Sequence, residues 1–355
     1  MMLIMDAKNP YCATLWLILL CLVGLPGVCH AERSSAVMKD NETVPTSPHF
    51  RIEKLADGVY AAIHKDGGGA ICNAGIVGLG DRTLVFDVFL TPQAARDLKV
   101  AAELLTMKPV TLVVNSHCHN DHIWGNQVFT AQADILSTVT TAEMIAHEGQ
   151  KEYEWYRENT PKQLSALQER YGSESDEDQR SELSLWIGYY QHLAEAICEL
   201  EVVPPNRTFN AHMVINGTKR RVELIEHKNG HTPSDLILYL PQDSIIFMGD
   251  LLFIDSHPYL GDGDPDTLIN ILQETQQMGA RIVVPGHGPV GTANDLSVLI
   301  DYIKRCQDIV NRMISDGIGE DALDSIEVPQ PFDSWQQVGF FRSNLRFLYN
   351  RLSSK

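Results

Sequence analysis

Residues 110–114, VTLVV, form an unbroken apolar run, and the chain leaves it through NSHCHNDH, where His117, His119, Asp121 and His122 fall within six positions. A run this short and apolar reads as a buried strand, and the loop at a strand's C-terminal end is where α/β sheets usually present chemistry. Three later candidates also border short apolar runs: His231 in NGHTPSD precedes DLILYLP, Asp250 closes SIIFMGD, and His287 in PGHG follows RIVVP. Residues so scattered meet only if their strands end on one rim. Further strands are predicted at VYAAIH, NAGIVGLG, TLVFDVF, HMVING and KRRVELIEH. TPQAARDLKVAAELL carries Thr91 as N-cap and Pro92 at the first helical position, so it predicts a helix. A second helix is expected near 266–277, with helices to the C-terminus. Two successive units of strands then helix predict an α/β fold of two sheets face to face, helices outside.

The segment 140–200 differs in texture. Leu164, Leu167 and Tyr171 mark one helix face, Leu183, Trp186, Ile187 and Tyr190 another, and GSESDEDQRS between them reads as an exposed acidic turn. It is read as a helical insertion, either packing its aromatics on the domain or serving as a lid. Residues 1–31 have the form of an export signal: Lys8, an apolar stretch Ala13–Leu25, the breakers Pro26 and Gly27, and a cleavage site after Ala31. The stretch is short against the roughly 20 residues a spanning helix needs, so no membrane anchor is expected after cleavage and the mature chain is expected in the periplasm or secreted. Residues 32–49 read as a loose leader to a domain spanning 50–355. Three of seven cysteines leave with the signal; Cys72, Cys118, Cys198 and Cys306 are spaced too irregularly for a disulfide framework. A net charge of -18 repels phosphate backbones and argues against a nucleic-acid partner.

Borderline-soft divalent metals bind imidazole and carboxylate, which the HCHNDH loop offers in excess of one coordination shell. His117 and His119, two apart on extended chain, face one way, whereas Asp121 and His122 come as the chain bends and face a second point. The loop completes neither shell alone, so the later loops must contribute. In order, Asp87 in VFDVF, HCHNDH, GHTPSD, MGD and PGHG resemble the five motifs of the metallo-β-lactamase superfamily, over roughly residues 50–310. The resemblance implies an αββα sandwich. One metal would be held by His117, His119 and His231, the other by Asp121, His122 and His287, with Asp250 bridging. Asp87 would support a ligand from behind, or is a strand-end aspartate in a turn. Zinc is the ion expected, with iron or manganese compatible with nitrogen and oxygen donors.

Two such ions, about 3.5–4 Å apart, supply hydroxide near neutral pH. Asp121 would orient it and take its proton, so the implied activity is metal-dependent hydrolysis of a small-molecule substrate. By resemblance, aspartate at position 250 points to thioesterases, lactonases and related dinuclear hydrolases, because the major β-lactamase groups carry cysteine or serine there. An ester, lactone or thioester carbonyl is the expected target. The alternatives are a class B-like β-lactamase, or a non-catalytic metal-binding or sensory protein on the same scaffold. FIDSHPYLGDGDPD follows Asp250 and is expected on the rim, where His257, Tyr259, Asp262 and Asp264 contact substrate or position ligands, or simply satisfy turn geometry.

Overall fold

The computed structural model describes residues 45–353, with the backbone of β1 (Met38–Lys39) and β2 (Glu42–Thr43), which pair antiparallel. The expected export signal at 1–31 lies outside the described residues. No helix among the described residues is long and apolar enough to cross a membrane.

Two sheets make the body. The first orders β3 (Phe50–Ala56), β4 (Val59–His64), β5 (Ala74–Gly78), β6 (Thr83–Phe86), β7 (Val110–Val114), β8 (Asp134–Thr138) and β9 (Arg207–Phe209) in sequence. β3 to β6 pair antiparallel and β6 to β9 parallel. The second orders β10 (His212–Asn216), β11 (Arg221–His227), β12 (Asp235–Leu240), β13 (Ile245–Phe247) and β14 (Ile282–Val284), and only its last pair is parallel. Between the sheets, Leu84, Phe86, Leu112 and Val114 of the first pack with Leu224, Leu238 and Phe247 of the second. The Phe86 and Phe247 rings are 6.1 Å apart.

Helices cover both outer faces. α1 (Pro92–Thr106) starts where Thr91 accepts from the Ala94 amide, and buries Ala94, Ala95, Leu98 and Ala101 against the first sheet. On the second lie α5 (Pro265–Gln277), α6 (Ala293–Ser315) and α7 (Val338–Ser353), with Leu268, Leu272, Leu299, Ile303, Phe341 and Leu345 in one core. These layers are the expected sandwich.

Residues 140–200 form a helical hairpin of α3 (Val139–Ser173) and α4 (Glu177–Ala196). TPKQLSALQERY is no separate helix: α3 runs on through the exposed Pro161, whose local cost is outweighed by the turns on either side. The acidic turn is confined to three residues, because Asp176 caps α4 and Glu177 and Asp178 enter its first turn, where the helix dipole favours them. At its base the hairpin packs Ile145, Leu193, Ile197 and Leu200 around Ile123 and Trp124. Those two residues directly follow His122. Burying Trp124 contributes roughly 3 kcal/mol and ties the insertion to the histidine loop.

Candidate metal centre

The ends of two parallel strand pairs form one rim. α2 (Asn120–Ile123) begins one residue after His119. Asp87 follows β6, His117 lies just past β7, Asp250 follows β13 on a 3-10 turn, and His287 follows β14. His231 arrives on the turn entering β12, where Asp235 accepts from the amides of His231 and Thr232 and from the Thr232 hydroxyl. Burial pushes the Asp235 carboxyl up to about 7 against those hydrogen bonds. The motif containing Asp235 was legible; its part in shaping the turn was not.

Hydrogen bonds fix the imidazoles so that bare nitrogens converge. His117 Nδ1 lies 2.8 Å from the Ser116 hydroxyl, His119 Nε2 is 3.0 Å from Asp262 Oδ2, and His122 Nδ1 is 2.9 Å from Asp87 Oδ2. With those protons placed outward, His117 Nε2, His119 Nδ1 and His122 Nε2 are left as acceptors. His119 Nδ1 faces His231 Nε2 at 3.0 Å. His117 Nε2 is buried with no hydrogen-bond partner, and the buried His122 Nε2 and Asp250 Oδ1 face each other with no other hydrogen-bond partner. Left unpaired, such groups each cost about 1–3 kcal/mol, so a cation between them fits what the donors lack.

Asp250 stands between the two sets. Its Oδ2 lies 3.3 Å from His231 Nε2, 3.8 Å from His117 Nε2 and 3.4 Å from His287 Nε2, and its Oδ1 lies 3.0 Å from His122 Nε2. Asp121 Oδ2 is 3.4 Å from His287 Nε2 and 3.6 Å from His122 Nε2. Burial pulls His117 well below its ordinary value and His231 down to about 3, so both stay neutral, the form a metal requires. Burial alone would lower His287 and raise Asp121 and Asp250, but the carboxylates hold His287 at about 9 and the imidazoles keep both carboxyls low. Such a pairing is a seat for positive charge. Asp87, Asp121 and Asp250 have only histidines as ion-pair partners among the described residues, and bound divalent ions would offset their charge.

Asp87, at φ 60°, also accepts from the Ser116 amide at 2.7 Å, so one carboxylate sets both the loop and the His122 ring. Tyr259 lies on the rim, its ring 6.3 Å from that of His119 and its hydroxyl 3.4 Å from Asp262 Oδ1. His257 does not: it is buried among Tyr302, Trp335 and Phe341, with Nδ1 3.1 Å from the Tyr302 hydroxyl, so it packs the C-terminal helices and faces no ligand. Asp264 caps α5 and pairs with Arg351. Cys118 packs toward the insertion core, and all four described cysteines are free. Three neighbours carried no sequence signal. His64 ends β4 with its ring 5.9 Å from that of His287, Cys72 donates to the Asp121 carbonyl, and Glu152 of α3 accepts from the Asn120 side chain at 3.0 Å. Burial raises Glu152 to about 7, opposed by His119.

The sequence model of the metallo-beta-lactamase superfamily matches residues 67–287, a span containing every candidate ligand. The chain belongs to that superfamily. That membership makes it a metallo-hydrolase. A metallo-beta-lactamase from Pontibacter korlensis superposes with a TM-score of 0.52 at 20% identity, covering 72% of this chain and 99% of that one. One from Erythrobacter litoralis, with beta mercaptoethanol in its active site, gives 0.52 at 17%, covering 73% and 98%. The DIM-1 metallo-beta-lactamase exposed to ceftazidime gives 0.51 at 16%, also covering 73% and 98%. Identities this low establish the shared fold alone. No curated protein matches the sequence.

Gly286 carries a sharp steric constraint of this centre. A Cβ there would fall 1.9 Å from Asp250 Oδ1 and 2.8 Å from the Gly249 carbonyl carbon. Gly286→Ala is therefore expected to push the Asp250 carboxylate aside and lower hydrolytic kcat/KM about a hundredfold, roughly 2.7 kcal/mol. Kinetics alongside metal content measure it, and unchanged activity with full metal would show that Asp250 tolerates the shift.

Proposed function

We propose that the chain is an exported dinuclear hydrolase, loaded with zinc, that cleaves an ester, lactone or thioester carbonyl. The observation that carries the reading is Asp250, one carboxylate within 3.8 Å of the inward nitrogens of His117, His122, His231 and His287. His117, His119 and His231 would hold one ion, and Asp121, His122 and His287 the other. Iron or manganese would accept the same donors. When bound, the ions supply activated water at neutral pH and charge stabilisation for the carbonyl oxygen. Asp121, its side chain 13% exposed between His122 and His287, would orient that water and take its proton. Asp87 and Asp262 keep the His122 and His119 rings in the tautomers a metal requires.

The carboxylate at 250 also supports the choice of bond. Shared between two ions, it would lower their effective charge, which would favour a departing alkoxide or thiolate over an amide nitrogen that needs more stabilisation. The test is a panel of a simple lactone, an aryl ester, an acyl thioester, a penicillin and a carbapenem on one zinc-loaded preparation. The lactone, ester or thioester is expected to give kcat/KM at least equal to either β-lactam. A β-lactam preferred by more than about tenfold, or roughly 1.4 kcal/mol, would make the protein a β-lactamase instead.

A further inference from the structure

A circuit of side-chain contacts from four separate segments starts at His119 and closes on its neighbour Asn120. Its ring lies 6.3 Å from Tyr259, Tyr259 lies 5.7 Å from Phe340 of α7, and Phe340 lies 5.8 Å from Trp186 of α4. Trp186 lies 5.9 Å from Tyr189, whose hydroxyl is 3.3 Å from the Asn120 amide nitrogen, beside His119 again. His119 is the open histidine of its set, its side chain 25% exposed against 1% for His117 and His231. All four aromatic residues are half-buried, Tyr189 with one side packed on the insertion core.

Their polar atoms are already engaged. Trp186 Nε1 donates to Glu182 on its own helix, Tyr189 is bonded to Asn120, and Tyr259 donates to Asp262. What remains is ring surface, suited to apolar or stacked contact. The charges at its edge are Glu152, against Asn120, and Asp262, against His119. The charges acting most strongly on His119, Asp121, Glu152, Asp250 and Asp262 belong to histidines and carboxylates, with no lysine or arginine among them.

We infer that Trp186, Tyr189, Tyr259 and Phe340 form a specificity wall for an uncharged apolar or aromatic group of the substrate, and that Glu152 and Asp262 repel substrates with a carboxylate there. This rests on the ester, lactone or thioester reading and narrows it. A carboxylate there would lie against two acidic side chains, whereas a neutral ring would cover apolar surface. The inserted hairpin, the C-terminal helix and the loop before α5 would then set selectivity.

Two arms test it. In the first, run at about pH 8.5 so that Glu152 is ionised, the zinc-loaded protein is given phenyl acetate and 4-carboxyphenyl acetate; the neutral ester is expected to lead by at least about tenfold in kcat/KM, and Glu152→Gln to narrow the gap to about threefold or less. In the second, calorimetry follows binding of the unreactive amides acetanilide and 4-acetamidobenzoate. Acetanilide is expected to bind more tightly, Trp186→Ala and Phe340→Ala to weaken it about fivefold or more, and Trp186→Phe to retain it within about twofold. The binding arm stands even if no ester is hydrolysed, so failure of the reaction reading is separable. Equal binding of both amides, or indifference to both alanine variants, would overturn the wall, as would equal turnover of the two esters.

Discussion

Asp250→Ala is expected to lower kcat/KM toward the best ester or lactone by at least about a thousandfold, roughly 4 kcal/mol of transition-state stabilisation. Asp250 is 5% exposed and stands between four imidazoles, two of which, His117 and His231, have no ion pair with Asp121. The loss should appear in stability as well as rate. Metal bound to the native protein alone stabilises it by about 4 kcal/mol at a free concentration a thousandfold above Kd. Chelation should therefore lower the melting temperature of the parent protein by several degrees and leave Asp250→Ala nearly unmoved. A variant that keeps two ions and most of its turnover would show that the two histidine sets do not share this ligand.

The second large effect is expected at Asp121, and it should be kinetic in form. Its carboxylate touches His122 and His287 but lies on the open side of the cluster, where a proton must be managed during attack. Asp121→Ala is expected to cut kcat about a hundredfold or more while KM changes less than about threefold, since the lost interaction matters most in the transition state. Steady-state kinetics on metal-saturated variant separates the two parameters. A raised KM with unchanged kcat would assign Asp121 to substrate binding.

Much of the fold was legible because its signals are local. Apolar runs of three to seven residues bordering ligand-type side chains mark β7, β12, β13 and β14, and Thr91 with Pro92 marks the start of α1. The motif order was legible too, and the structure draws His117, His119, His122, His231, Asp250 and His287 together from four loops. What could not be read depends on tertiary contact. His257 stands seven residues after Asp250 and reads as rim, yet α6 and α7 supply an aromatic core that takes it inward. Glu152 reads as one acidic residue among several on α3 until that helix folds back over Asn120. Asp262 lies in a Gly and Asp turn indistinguishable by sequence from a geometric one, and only the His119 contact at 3.0 Å gives it a part in the centre. Long-range packing placed these three.

The central claim, two metal ions sharing Asp250, is tested most directly by diffraction from zinc-soaked crystals at the zinc absorption edge. Two anomalous peaks are predicted, about 3.5–4 Å apart, one against His117, His119 and His231, the other against Asp121, His122 and His287, with the Asp250 carboxylate in contact with both. A single peak, or two peaks with Asp250 touching neither or only one, would contradict it.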